Sequence, residues 1–270
     1  MPFDRVRFFN AGHCTQLGYF AGSNRRGRTR FNNVFVHLDH PRHGVSLIDA
    51  GYSPHFFEAT EDFPARLYRW TLPVHLDEHR HAAAILQSRG LQPEAVREIF
   101  ISHFHGDHVA GLKDFPAARA VYRRTALASL LRQSEFSQVR HGFLPGLLPD
   151  DIAARGMAIE DDGFAGTFAG FPALDYFGDG ELLLVDLPGH APGHTGFAFR
   201  TRERQFFYIA DACWDVEAML AAKPLPLITR RLQHSYDEYA ATQEKLRHFA
   251  QRDDWTMLAC HCPRTQRYVD

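Results

Sequence analysis

The six residues His103-Phe104-His105-Gly106-Asp107-His108 constrain this chain more than any other stretch. They follow at once on Glu98-Ile99-Phe100-Ile101-Ser102, an apolar run that reads as a strand. His103 and His105 are two residues apart, so in extended backbone both rings point the same way, and Asp107 continues that alternation. His108 falls on the other side of the turn, and Gly106 lets the backbone bend sharply between them. Imidazole nitrogens and carboxylate oxygens bind zinc-like metals at about 2.0–2.2 Å. One loop can therefore supply ligands to two neighbouring metal ions.

Three further candidates stand just past apolar runs. His190 lies in Pro188-Gly189-His190-Ala191-Pro192-Gly193-His194-Thr195. Asp211 follows Phe206-Phe207-Tyr208-Ile209-Ala210, and His261 follows Met257-Leu258-Ala259-Cys260. Polar residues at strand ends project from the sheet edge, where α/β ligand sites lie. Singly, each is more often a cap, a turn residue or a hydrogen-bonded core group. Their order after the first cluster is what marks them as a set.

The rest of the chain supplies a scaffold of alternating strands and helices. Phe31 to Leu38 and Val45 to Ile48 read as paired strands, separated by the breakers Asp39 to Gly44. Leu76 to Arg89 reads as a helix, with Asp77 near its start and Gly90 as its stop. Pro93 opens a short helix. Glu181 to Leu187, Gly196 to Arg200, Gln205 to Ala210 and Trp255 to Cys260 read as strands. Ser235 to Gln251 reads as a helix capped by Ser235 or Asp237. This alternation predicts α/β layering in one domain over residues 1–270. Residues 133 to 178 fit the rhythm poorly and read as an irregular insertion or lid. They hold Phe136, Phe143, Phe164, Phe168, Phe171 and Phe177. Such apolar content beside a metal cleft would favour a substrate with an apolar tail.

Composition excludes several classes of partner. Lys and Arg number 30 against 32 Asp and Glu, a net charge of −2, so nothing points to nucleic acid. The one basic stretch, Arg25 to Arg30, reads as a solvated loop. No run of 18 apolar residues is present, so no membrane span is expected. The four cysteines, at 14, 213, 260 and 262, form no Cys-x-x-Cys pair and point to cytoplasmic thiols. Cys260 and Cys262 flank His261. One reading makes a thiolate ligand of either; the favoured one is that alternation, if the strand continues, turns both away from it, as small buried hydrophobes. Cys213 follows Asp211 by two residues and is a candidate support. His75, His79 and His81 lack the spacing of a helical metal pair and read as surface residues.

The string at 103–108, the segment at 188–195, Asp211 and His261 together resemble the metallo-β-lactamase superfamily. Asp49-Ala50-Gly51 resembles the family's early Asp-x-Gly turn. The resemblance implies a four-layer αββα sandwich with its site at one edge of two sheets. It implies that His103, His105 and His190 hold a first metal, and that Asp107, His108 and His261 hold a second. Asp211 would bridge both. The family's ligand is the first histidine of the Pro-Gly-His segment, so His194 would support the site without binding metal.

The same resemblance narrows the chemistry. True β-lactamases usually lack the bridging Asp, which this chain has. Redox-active di-iron members carry Glu where this chain has His105, which implies redox-inert zinc and hydrolysis. The opening Phe9-Asn10-Ala11-Gly12-His13-Cys14 resembles the acyl-homoserine lactonase branch. Those lactonases carry a Tyr three residues past the bridging Asp, where this chain has Trp214. The expectation is thus a hydrolase with two zinc ions or other divalent transition metals. A metal-bridging hydroxide would attack a small-molecule carboxylic ester such as a lactone or thioester. Asp107 and Asp211 would be its catalytic carboxylates. A phosphodiesterase and a non-catalytic metal-binding protein are the alternatives.

Overall fold

The computed structural model of the protein describes residues 2–23 and 27–270. Arg25 and Arg26 of the basic stretch lie outside these residues. Arg28 and Arg30 do not sit in a loop but begin a strand. Among the described residues, the first sheet has seven strands. They are β1 (Arg5–Leu17), β2 (Arg28–His40), β3 (Gly44–Ile48), β4 (Val74–His75), β5 (Val96–Phe100), β6 (Arg119–Arg123) and β7 (Met157–Ile159). Their order is β4-β1-β2-β3-β5-β6-β7. The second sheet has β8 (Gly166–Phe168), β9 (Phe171–Asp175), β10 (Leu182–Asp186), β11 (Thr195–Arg200), β12 (Gln205–Tyr208) and β13 (Trp255–Leu258). Their order is β13-β12-β11-β10-β9-β8.

The period-two side-chain alternation of β2 builds two layers at once. Val34, Val36 and Leu38 face the second sheet, packing with Phe100, Phe197, Phe206 and Tyr208. Phe35 faces outward with Leu47 and Ile99, under Phe56, Leu86, Leu112 and Leu127 from the outer helices. The second sheet repeats the scheme. Val185, Phe207 and Ile209 face outward and are covered by Met219, Leu246 and Phe249. Helices therefore cover both outer faces of the paired sheets, which is the expected αββα sandwich. No helix among the described residues is long and apolar enough to cross a membrane.

Strand direction determines where chemistry can gather. β3 and β5 are parallel, as are β5 and β6. In the second sheet β12 and β13 are parallel, and β11 runs antiparallel between β10 and β12. The C-terminal ends of β3 and β5 in one sheet, and of β10, β12 and β13 in the other, carry Asp49, Ser102 to His108, His190, Asp211 and His261.

Two local expectations differ from the structure. The helix expected over 76–89 spans only Ala82–Ser88. Asp77 closes a turn instead, its carboxylate accepting from the His79 N–H at 3.0 Å, and this competes with helix formation. His75 and His79 are exposed, whereas His81 lies 3.3 Å from Asp114. Residues 133–178 hold two helices, Glu135–Arg140 and Ile152–Arg155, and the strands β7, β8 and β9. β7 and β8 each form the edge of a sheet. Strands of three residues are too short to show a period, so the sequence reads there as irregular.

One buried group in this scaffold carries a pH dependence. His37 on β2 is 1% exposed, and neither ring nitrogen has a hydrogen-bond partner. Burial pushes its pKa down to about 4 from 6.5. The folded chain therefore keeps His37 neutral between these values while the unfolded chain protonates it. Stability attributable to this site falls as pH drops from 6.5 towards 4, by about 3 kcal/mol. His37→Leu should remove that increment. Urea denaturation at pH 7 and pH 4.5 should show a smaller acid loss in the variant than in the wild type. Equal losses would mean that His37 is not the titrating group.

Candidate metal centre

The strand ends bring all seven sequence-expected residues to one place. The rings of His103, His105 and His190 form a triangle with centroid separations of 4.3, 4.7 and 4.8 Å. Beside it, His108 Nε2 and His261 Nε2 lie 3.5 and 3.3 Å from Asp107 Oδ2. Asp211 stands between the two groups. Its carboxylate is 3.5 Å from His190 Nε2, 3.6 Å from His108 Nε2 and 3.2 Å from His261 Nε2. The ligand atoms of His103, His105, His190 and Asp211 all lie within 4.8 Å of one another.

Four of the five rings are aimed by their other nitrogen. His108 Nδ1 meets Asp49 Oδ2 at 2.7 Å, and His190 Nδ1 meets Gln233 Oε1 at 2.9 Å. His261 Nδ1 meets the Asn32 carbonyl at 2.7 Å, and His103 Nδ1 meets Ser102 Oγ at 3.0 Å. With Nδ1 as the donor, Nε2 presents a lone pair. His103 Nε2, His108 Nε2, His190 Nε2 and Asp211 Oδ1 are buried and have no hydrogen-bond partner. Buried polar atoms are nearly always satisfied, so this convergence of partnerless atoms fits a pair of metal ions.

His194 is placed differently. Its Nδ1 donates to the Leu187 carbonyl at 3.1 Å, and its Nε2 accepts from the Asp211 N–H at 3.1 Å. Both nitrogens are thus engaged with backbone, and the ring holds the Asp211 peptide in place. Cys213 is buried in the outer apolar cluster of the second sheet, near Cys262.

The electrostatics divide the site in two. Burial, joined by repulsion from neighbouring imidazoles, pushes the pKa values of His103 and His105 well below the usual histidine value. Burial also disfavours charge on His108, but Asp107, Asp49 and Asp211 outweigh it and hold its pKa well above the usual value. The same holds for His261, where Asp211 is the leading opposing group. Asp107 is lowered to about 2: burial works against this, and His108 and His261 prevail. The carboxylate side draws positive charge, and the imidazole triangle offers neutral lone pairs.

Several supporting residues escaped the sequence reading. Asp49, 1% exposed, accepts from the Ser102 N–H and Ser102 Oγ, both at 2.8 Å, as well as from His108. The sequence marked it only as part of a turn. Asn33 donates to Asp107 Oδ2 at 3.3 Å. Gln233 and Ser102 carry no motif at all. Gly142 (φ 66) passes so close to His105 that an added Cβ would sit 2.8 Å from its ring. Gly189 (φ 121) likewise lets the chain cross the backbone of Tyr239, where a Cβ would meet the nitrogen at 2.1 Å. Glycine at these two positions is what allows His105 and His190 to be reached.

Other expected residues are placed as follows. Trp214 donates Nε1–H to Asp211 Oδ2 at 2.9 Å, and its ring stands edge-on to His190. Cys260 does not turn away from the site as alternation implies. The strand ends at Leu258, and Cys260 packs at the sheet interface beside His261. Phe143 packs in the outer cluster beside Phe104, and Leu144 and Leu147 lie against Gly106. Phe168 packs on Phe207, Phe249 and Trp255, on the outer face of the second sheet. A small surface hollow beside His261 is lined by Gly18, Ala21, Arg30, Phe31 and Trp214.

Comparison with known proteins identifies the family and the fold. The profile of the Metallo-beta-lactamase superfamily matches residues 30–261. The N-acyl homoserine lactonase AttM of Agrobacterium fabrum is 28% identical over 196 residues, 70% of this chain and 66% of its own length. Gamma-lactamase FDB1 of Fusarium pseudograminearum is 27% identical over 176 residues, 59% of this chain, which spans only 38% of that protein. Among solved structures, an N-acyl homoserine lactone hydrolase with N-hexanoyl-L-homoserine at its catalytic metal centre superimposes with a TM-score of 0.75. The identity there is 18%, with 100% of this chain and 98% of that chain covered. The dizinc quorum-quenching lactonase AidC gives a TM-score of 0.65 at 16% identity, covering 97% and 90% of the two chains. With the profile running through every candidate ligand from His103 to His261, the chain belongs to the metallo-β-lactamase superfamily.

Proposed function

We propose that this chain is a two-zinc hydrolase acting on a small carboxylic ester, a lactone or thioester. The observation that carries the reading is the convergence of four buried, partnerless ligand atoms, each on a side chain aimed by a second contact. His103, His105 and His190 would hold one ion, and Asp107, His108 and His261 the other, with Asp211 between them. Such ions, when bound, supply an activated water nucleophile and polarise the scissile carbonyl. The protein's own part is to fix that geometry before substrate arrives. Asp49, Gln233 and Asn32 hold three imidazoles in one tautomer. Trp214 and the His194 ring hold Asp211 at its side chain and its backbone. Asp107, bordered by His108 and His261, is the carboxylate assigned to move a proton to the leaving oxygen.

The lactone assignment draws on the relatives AttM and FDB1, named for lactonase and lactamase activity. Among the described residues, Arg30 in the hollow beside His261 favours a phosphodiester. The four free, buried cysteines support a reducing compartment, the cytoplasm.

Protein purified with zinc in the medium should hold up to two zinc ions per chain by elemental analysis. It should open γ-lactones faster than it cleaves phosphodiesters or β-lactams. Asp211→Ala should lower second-ion occupancy and reduce turnover at least about 100-fold. Protein that binds no zinc, or a variant with full turnover and both ions, would remove the reading.

The two histidines of the 188–195 segment should behave differently. His190→Ala should lose metal from the imidazole triangle. His194→Ala should retain both ions and lose about 10–100-fold in activity, because it acts through Asp211. Metal analysis giving the opposite pattern would exchange their roles.

A further inference from the structure

The carboxylate side of the centre has a fifth candidate donor that the family ligand set does not include. Cys260 is fully buried, and its Sγ lies within 4.8 Å of ligand atoms on His108, Asp211 and His261. Asn33, itself 1% exposed, ties it to the site. The Asn33 amide donates to Asp107 Oδ2 at 3.3 Å and lies 3.9 Å from Cys260 Sγ. Asp107 and Cys260 are therefore neighbours on one amide, facing the same two imidazoles.

The thiol proton is also dispensable where it now points. Cys260 Sγ donates to the Val34 carbonyl over a long 3.4 Å. The Tyr208 hydroxyl donates to that same carbonyl at 2.7 Å. Removing the thiol proton leaves no buried carbonyl without a donor. A tetrahedral zinc site with nitrogen at about 2.0 Å and sulfur at about 2.3 Å has an N···S edge of about 3.5 Å. Against the 4.8 Å bound, the sulfur thus needs to approach by about 1.3 Å at most, a displacement within reach of a side-chain rotation.

We propose that Cys260 is a sulfur donor to the ion held by His108, Asp211 and His261, taking a position alongside or in place of Asp107. This rests on the two-metal reading above and concerns which atoms complete its second site. Binding breaks the S–H bond and forms a metal–sulfur bond, and the proton leaves to solvent. A thiolate makes this half of the centre softer than the imidazole triangle. The pair should then favour zinc, cobalt and cadmium over manganese at the second position.

The test is to load the full chain with cobalt(II) and record metal content and absorption together. The expected result is two cobalt ions per chain and a near-ultraviolet sulfur-to-cobalt charge-transfer band. That band should appear only with the second ion. Cys260→Ser should lose the band, and Cys14→Ser and Cys213→Ser should keep it. Should Cys260→Ser fail to fold, cadmium-113 NMR of the unmodified chain decides. One of two resonances should then be shifted strongly downfield by sulfur. Two bound ions with no charge-transfer band, a band surviving in Cys260→Ser, or two resonances both in the nitrogen and oxygen range would overturn the proposal. A chain that never takes a second ion would overturn the two-metal reading and this assignment with it.

Discussion

The buried carboxylate of Asp49 is the contact on which the centre's geometry rests. It sits at the end of β3 in a left-handed backbone conformation, φ 60, that a non-glycine residue adopts only at a cost. Three donors offset that cost: the Ser102 amide, the Ser102 hydroxyl and His108 Nδ1. Through them the end of one parallel strand is joined to the loop that leaves the next. The Asp49 amide in turn donates to the Phe100 carbonyl, and the Ala50 amide to that of His108. The loop carrying four candidate ligands is thereby held at both ends before any ion is present. Loss of the carboxylate would leave buried donors on Ser102 and His108 without an acceptor, which costs far more than a surface contact.

The second sheet repeats the device with different parts. Ala210 also has a left-handed backbone, φ 43, and delivers Asp211 from the end of β12. His194 secures the Asp211 amide and Trp214 its side chain. Contacts between the sheets then fix one half of the site against the other. Thr195 N donates to the Ser102 carbonyl, His261 meets the Asn32 carbonyl, and Tyr208 meets the Val34 carbonyl. Backbone strain thus appears after β3 and after β12, two of the strand ends that face the site, where surrounding contacts over-determine it.

How much of this could be read from the sequence follows from the range of each interaction. The residues that gather at the candidate site were legible because local spacing encodes them: alternation in His103, His105 and Asp107, and strand-end positions for His190, Asp211 and His261. The sandwich was legible from apolar strands such as β2 and β10. The supports were not, because Gln233 reaches His190 across 43 residues, Asn33 reaches Asp107 across 74, and Asp49 reaches His108 across 59. A lone Gln or Asn carries no periodic signal. The edge strands β7 and β8 were missed for the opposite reason, being too short to display a period. Cys260 was misplaced because alternation was extended past Leu258, where the strand had already ended.

The division of charge within the site bears on how the centre would discriminate between its two ions. The triangle of His103, His105 and His190 is neutral and has a single carboxylate, Asp211, within reach. The other half adds Asp107 and lies near Asp49, which already engages His108. An ion on the triangle would meet three imidazoles and one shared charge, and an ion on the other side would meet two carboxylates. Hard, oxygen-preferring cations would therefore be drawn to the carboxylate side unless a softer donor offsets that preference. If Asp211 is shared as proposed, filling one position would withdraw charge from the other, and the two binding events would be coupled. The sign of that coupling depends on competition between lost carboxylate charge and the pre-ordering of Asp211. The bonds from Trp214 and His194 supply that ordering in advance. On the proposed two-metal reading, a bridge already ordered would gain little from a first ion, so the electrostatic term would prevail and a second ion would bind more weakly than the first.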